Sequence, residues 1–273
     1  MVDVIKIIED SYELYKEKWG SVITAFVVVF LIALAFGVIN FIISLPGKLG
    51  VCNFNNTLII LIFCISPYIL QYVLGFVNGL IDLMVTMAVI GPMDEMAGGK
   101  AISDWTGKFK KQLVNSILVI LLRTVMTIIC FVPIAIVLIL NISVLAALAN
   151  NKNIGILFGG GLIIFVMILA VCALVFAILN FLLTFLEVEI VLGGNGVLQA
   201  GIKSAKLVTS NLWDVLAYAL IWFVIGIVVG VVTVIMTCTV CLLPLAYVIS
   251  PFIVAPIGLL SKVILWRKLT KSR

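Results

Sequence analysis

Histidine is absent and charge is scarce. The 273 residues include no His, and only 11% are Asp, Glu, Lys or Arg, against about 25% in ordinary soluble domains. Without His the commonest general base is gone, and no Ser or Cys nucleophile lies beside an evident alternative base, so nothing points to a hydrolase and no enzyme is expected. The six Cys have no zinc-like spacing, so no metal framework or other cofactor is expected either. No cleavable signal peptide is expected either. The opening MVDVIKIIEDSYELYKEKWG carries Asp3, Glu9, Asp10, Glu13 and Glu17, so translocation has to start from the first membrane helix itself.

What is present is apolar. Hydrophobic residues make up 64% of the chain, more than a soluble monomer can hide. Continuous apolar blocks run from Ser21 to Leu45, Thr57 to Ile90, Asn115 to Leu140, Ile154 to Val191, Trp213 to Met236 and Cys241 to Trp266. Each exceeds the roughly 20 residues that cross a bilayer core of about 30 Å. Barrel strands would instead alternate apolar and polar residues. The expected fold class is therefore all-α: a single polytopic domain over 1–273 with six transmembrane helices. The second to fourth blocks are long enough to call for tilt or for a kink at Pro67 or Pro133, and SVLAALAN at 143–150 is a candidate seventh segment.

Basic residues set the orientation. With the N-terminus inside, every Lys and Arg falls on the cytoplasmic side except Lys48 and Lys152, which are outside, and Arg123, which lies within a helix. Trp19, Trp105, Trp213 and Trp266 fall near the inner boundary, as an interfacial belt would place them. The expectation is a multi-pass plasma-membrane protein with both termini in the cytoplasm. The net charge of +5 then reports membrane orientation, and no nucleic-acid partner is expected. The bilayer itself, with a membrane protein or a second copy of the chain, is the expected partner.

The segments before the first, third and fifth helices read SYELYKEKWGSVI, TGKFKKQLVNSIL and SAKLVTSNLWDVL. Ser11, Thr106 and Ser204 align, as do Leu14, Phe109 and Leu207, then Val22, Ile117 and Val215. This predicts three repeated hairpins over about 1–95, 96–193 and 194–273, each introduced by a cytoplasmic amphipathic segment. In the first, Val4, Ile8, Ser11, Tyr12, Tyr15 and Trp19 share a helical face, suited to lying on the inner membrane surface. Any basic inner loop tends to look similar, which is the competing explanation.

Few residues are placed for chemistry. The string AGGKA at 97–101 suggests a phosphate loop, but the residue five before Gly99 is Asp94 and Ala101 follows Lys100, so the P-loop pattern fails at both ends. Arg123, in LVILLRTVMTII, would sit about 12 Å above the inner boundary, and Asp82, in GLIDLMV, about 13 Å above the inner end of its helix, at 1.5 Å per residue. An unpaired Arg at that depth is costly, so an Asp82–Arg123 ion pair is expected. It would serve as an ion or proton relay, or as a buried lock between helices; alternatively, Arg123 snorkels to headgroups. Glu187 and Glu189 sit two apart near the inner end of the fourth helix and so on different faces, with at least one expected at the interface. Cys238 and Cys241 form a C-x-x-C at an outer turn, a disulfide or redox pair or else small packing residues. Gly75 and Gly79, Gly155 and Gly159, and Gly226 and Gly230 recur at four-residue spacing and would let helices approach closely. Pro244, Pro251 and Pro256 should kink the last helix.

The string GPMDEMAGGKAISDWTGKFKKQLVNSIL resembles an uncharacterised archaeal and bacterial family of small polytopic membrane proteins. SAKLVTSNLWDVLAYALIWFVIG, followed by the Pro-rich last helix, is similar to the same family and to the membrane domain attached to some glycerophosphodiester phosphodiesterases. The resemblance implies a six-helix membrane fold and carries no activity, since the catalytic domain of those phosphodiesterases has no counterpart here. The expectation is a non-enzymatic structural, accessory or interaction module. The alternative is a small-solute or lipid transporter or permease using Asp82 and Arg123.

Overall fold

The structure is a computed structural model describing residues 2–48, 66–100, 102, 105–109, 112–148, 154–238 and 250–271. Among these residues all regular structure is helical. In chain order the elements are α1 (Val4–Lys18), α2 (Gly20–Lys48), α3 (Ser66–Ala97), α4 (Thr106–Phe109), α5 (Leu113–Leu148), α6 (Ile154–Leu182), α7 (Leu186–Val191), α8 (Val197–Ser210) and α9 (Leu212–Cys238). A π-helical turn (Ser250–Val254) then leads into α10 (Ala255–Lys271).

Five stretches among the described residues are long and apolar enough to cross a membrane: Val22–Ile39, Leu70–Ala97, Leu113–Ile136, Val166–Val191 and Leu212–Met236. Their outward faces are apolar and unpartnered, for example Val171, Leu174 and Ile178 on α6 and Phe223, Val224 and Ile227 on α9. Surface of that kind suits lipid rather than water. Of the sixth expected block, residues 241–249 lie outside the described residues. Its remainder divides at the π turn that contains Pro251, and α10 restarts with Pro256 in its first turn, where a missing N–H costs little. Pro67 likewise stands at the start of α3 rather than at a kink, and α5 continues through Pro133. The stretch 143–148 is no separate helix but the end of α5.

The packed core sits at the lysine-rich end. There α1 lies along α10, α10 against α3, and α7 against α8, while the long helices pair as α2 with α3 and α5 with α6. Ile7, Met87, Ile90, Met93, Phe185, Leu186, Leu260 and Leu265 are completely or almost completely buried. Each such side chain contributes about 1.5–3 kcal/mol where the alternative is water.

Helix α1 starts where the Asp3 carboxylate accepts the Lys6 N–H at 3.1 Å, an N-cap. Its buried face is Val4, Ile7, Ser11 and Tyr15, whereas Ile5, Tyr12 and Trp19 are exposed. The apolar face thus packs mainly on α10 within the protein, and only its edge is left for a membrane surface. The Tyr15 hydroxyl donates to the Phe252 carbonyl at 2.5 Å, tying α1 to the π turn. The three segments aligned in the sequence differ in extent: α1 and α8 are helices of 15 and 14 residues, and α4 is a single turn with Thr106 exposed where Ser11 and Ser204 are buried.

The glycine-rich stretch after α3 ends a helix. Gly99 has φ +68°, and the Lys100 N–H reaches back to the Glu95 carbonyl at 2.9 Å while Gly99 N–H bonds the Met96 carbonyl at 3.1 Å. This is the Schellman arrangement that satisfies carbonyls at a helix C-terminus, and it favours glycine at the left-handed position.

Candidate functional site: a charged cleft

The site begins with a break in the fourth apolar block. After α6 the chain turns through Leu183, Thr184 and Phe185 before α7 starts, and a break in an apolar setting leaves backbone groups that need partners. Ser204 of α8 supplies two. Its hydroxyl accepts the Phe185 N–H at 3.1 Å and donates to the Leu182 carbonyl at 2.8 Å. Thr184 donates to the Phe181 carbonyl at 2.6 Å. The redirected α7 is buried, and with it both Glu187 and Glu189.

The two carboxylates face different surroundings, as their spacing requires. Glu189 accepts the Trp266 indole N–H at 2.9 Å and the Asn195 amide at 3.2 Å, and the Asn195 carbonyl oxygen accepts from Lys203 at 2.7 Å. The Gly193–Gly194 turn allows this approach: a Cβ on Gly193 would stand 2.5 Å from the Glu189 carbonyl oxygen, and Gly194 has φ +64°. Glu187 pairs instead with Arg123 of α5 through Oε1, and Lys262 of α10 lies 3.6 Å from its Oε2. The expectation that one of the two carboxylates sits exposed at the interface is corrected, because the break in the helix turns both inward.

The Asp82–Arg123 pair is also corrected. Arg123 takes Glu187, and Asp82 has no cation within 4 Å among the described residues. Rise per residue places two side chains at the same height but leaves their rotation about the helix axes open. Both nevertheless line one cleft of about 530 Å³ with Phe76, Gly79, Leu83 and Thr86 of α3, Ile120 of α5, Glu187 and Lys262. The cleft therefore holds two acidic and two basic side chains in a mainly apolar protein. A second groove of about 640 Å³, between α1, α9, the π turn and the start of α10, is mainly apolar, with Glu9, Tyr12 and Trp222 its polar-bearing residues.

Sequence reasoning found Asp82 and Arg123, considered Glu187, and missed Lys262 as a site residue, having counted it only as an orientation charge. Its isolation in the apolar run IVAPIGLLSKVIL was the available signal. Two of the three glycine pairs make no close helix approach among the described residues. At Gly75, Gly79, Gly226 and Gly230 nothing lies within 4 Å of where a Cβ would be, so no close backbone crossing uses them. The surroundings of Gly155 and Gly159, the Cys238 side chain and all of Cys241 lie outside the described residues. Cys130 and Cys172 are free thiols.

No curated protein and no solved structure matches the chain. A family model described as a domain of unknown function, DUF7847, matches residues 69–265. That span runs from α3 into α10 and includes Asp82, Arg123, Glu187 and Lys262, while α1 and α2 precede it. The chain belongs to the DUF7847 family.

Proposed function

We propose that the protein is a non-enzymatic integral protein of the plasma membrane, with both termini cytoplasmic, that binds a small polar or amphipathic solute in the charged cleft and passes it along or across the bilayer. The observation that carries this reading is the cleft itself. Four ionisable side chains from four helices converge on about 530 Å³ of open space, and three of them, Asp82, Arg123 and Glu187, stand within apolar spans, where a charge is costly and is retained chiefly for pairing or transport. A scaffold needs no such opening, and a dry, packed interior at this depth would have favoured one. Glu187 and Glu189 point into separate environments, so they do not form an acid–base pair, which supports binding over catalysis. The internal repetition read from the sequence draws support from α1 preceding α2 and α8 preceding α9.

Flux or exchange of several solute and lipid classes in proteoliposomes tests this reading, with wild type compared to Arg123→Gln. Uptake or lipid exchange that depends on Arg123 is the expected outcome. A protein that stays folded yet moves and binds nothing in any class, with Arg123→Gln indistinguishable, returns the scaffold reading.

A further inference from the structure

We infer that the cleft recognises a zwitterionic group in which a phosphate is linked to a primary ammonium, an inference resting on the reading that this cleft binds a solute. The argument starts from sign. Asp82 and Glu187 line the same cleft as Arg123 and Lys262. A purely anionic guest meets two carboxylates, a purely cationic guest meets two bases, and a neutral sugar-like guest leaves the charges unanswered. A guest carrying both signs satisfies both.

The side chains are also divided for that purpose. Glu187, with its side chain only 6% exposed, lies between Arg123 and Lys262 and holds the two cations on one side of the cleft. One carboxylate against two cations leaves a positive charge unmatched there. Neither cation is fully engaged. Arg123 is 47% exposed and bonds Glu187 through one terminal nitrogen, so the rest of its planar fork is free for phosphate oxygens. Lys262 stands 3.6 Å from Glu187 Oε2, beyond hydrogen-bond length, and that buried oxygen has no hydrogen-bond partner.

Asp82 supplies the other half. Its carboxylate lines the cleft with no cation within 4 Å among the described residues, and a primary ammonium brings three donors to it. The wall above is apolar and open: Phe76 is exposed, and no atom approaches the Cβ position of Gly79. Acyl chains have a path there, and a small soluble molecule also fits. The shared chemistry is the phosphate and ammonium pair, and its two sources are a lipid headgroup and a free phosphoamine.

The experiment measures thermal unfolding of the purified full chain in detergent micelles, with short-chain phosphatidylethanolamine, phosphatidylcholine or phosphatidylglycerol added, and separately with phosphoethanolamine. The ethanolamine lipid should stabilise wild type most. Choline blocks the ammonium hydrogen bonds and glycerol lacks the charge. Asp82→Asn, which removes no intramolecular pair, should erase that preference and weaken the apparent affinity about tenfold or more, the scale of one lost charged hydrogen bond. Arg123→Gln should weaken the response to all three phospholipids. A response to phosphoethanolamine alone of the same size assigns the site to a soluble guest, and a response only to the lipid assigns it to a headgroup. Equal shifts for the three lipids, or an undiminished ethanolamine preference in Asp82→Asn, overturn the inference. If Arg123-dependent movement of some other solute is then seen, only the guest class has failed; if none is seen, the transport reading fails with it.

Discussion

Arg123 of α5 and Glu187 of α7 form an ion pair in the charged cleft, and Lys262 of α10 stands 3.6 Å from the other oxygen of the same carboxylate. Three helices far apart in the sequence are thus joined through one buried acid. Removing the acid strands two cations in a mainly apolar setting, whereas removing either cation leaves the acid one partner.

We therefore expect Glu187→Gln to be the most destabilising change in the cleft, by about 3 kcal/mol, the scale of breaking a buried pair. Arg123→Gln should cost less, because the guanidinium is half exposed. Thermal unfolding in detergent of the two single variants and the double variant should show coupling of about 1 kcal/mol, while Asp82→Asn combined with Arg123→Gln should be additive within about 0.5 kcal/mol. Strong coupling of Asp82 with Arg123 would contradict the arrangement.

Ser204 holds the break that turns α7 inward, accepting from Phe185 N–H and donating to the Leu182 carbonyl. Ser204→Ala leaves both groups buried without that partner, at a cost of about 1–3 kcal/mol. Ser11→Ala is the comparison, since Ser11 bonds only to the Ile7 carbonyl in its own helix. The two melting curves should separate clearly, with Ser204→Ala the lower.

Gly193 and Gly196 flank the same turn under different constraints. A Cβ at Gly193 meets the Glu189 carbonyl oxygen at 2.5 Å, and at Gly196 it meets nothing within 4 Å. Gly193→Ala should lower the melting temperature and disturb the Trp266–Glu189 hydrogen bond, visible as a change in tryptophan emission. Gly196→Ala should leave the emission unchanged and lower the melting temperature less, since Gly196 is only the N-cap of α8, where Ala is the poorer residue.

Tyr15 links α1 to the π turn through the Phe252 carbonyl, and its burial pushes the phenol above its usual value near 10. A folded-state value above the unfolded one means that the folded form keeps its proton longer. The stability from this group is full below about pH 10 and is lost as pH rises through the folded value. Tyr15→Phe should cost about 1 kcal/mol at neutral pH and flatten the alkaline loss of stability. An alkaline limb as steep as that of wild type would show that Tyr15 does not drive it.

Legibility followed the physics of each signal. Long apolar runs reveal spans without any knowledge of partners, because the bilayer is a uniform solvent that each helix meets alone. Arg123 and Asp82 stood out for the same reason, as charges where lipid makes charge expensive. Their pairing did not, because helix rise gives height and says nothing of rotation, and because the true partner depends on a break in α6 that is satisfied by Ser204, 17 residues beyond Glu187 in the chain. Lys262 was hidden by its position in a run where any Lys near an end reads as an orientation charge. Of the face expected on α1, Val4, Ser11 and Tyr15 are buried, but Ile7 is buried as well and Tyr12 and Trp19 are exposed, because the docking surface, α10, lies at the opposite end of the chain.

By itself the sequence determined an all-helical chain with apolar spans, the isolated intramembrane charges and the failure of AGGKA as a phosphate loop, which the structure turns into a helix cap at Gly99. Those depend on composition and local spacing, and on hydrogen bonds closed within a few residues. Tertiary structure alone decided that Glu187 and Glu189 are buried, that Glu187 gathers Arg123 and Lys262, and that Asp82 faces open space. Such outcomes depend on rotation about helix axes and on where distant backbone groups find partners, and both are fixed only when the helices pack together.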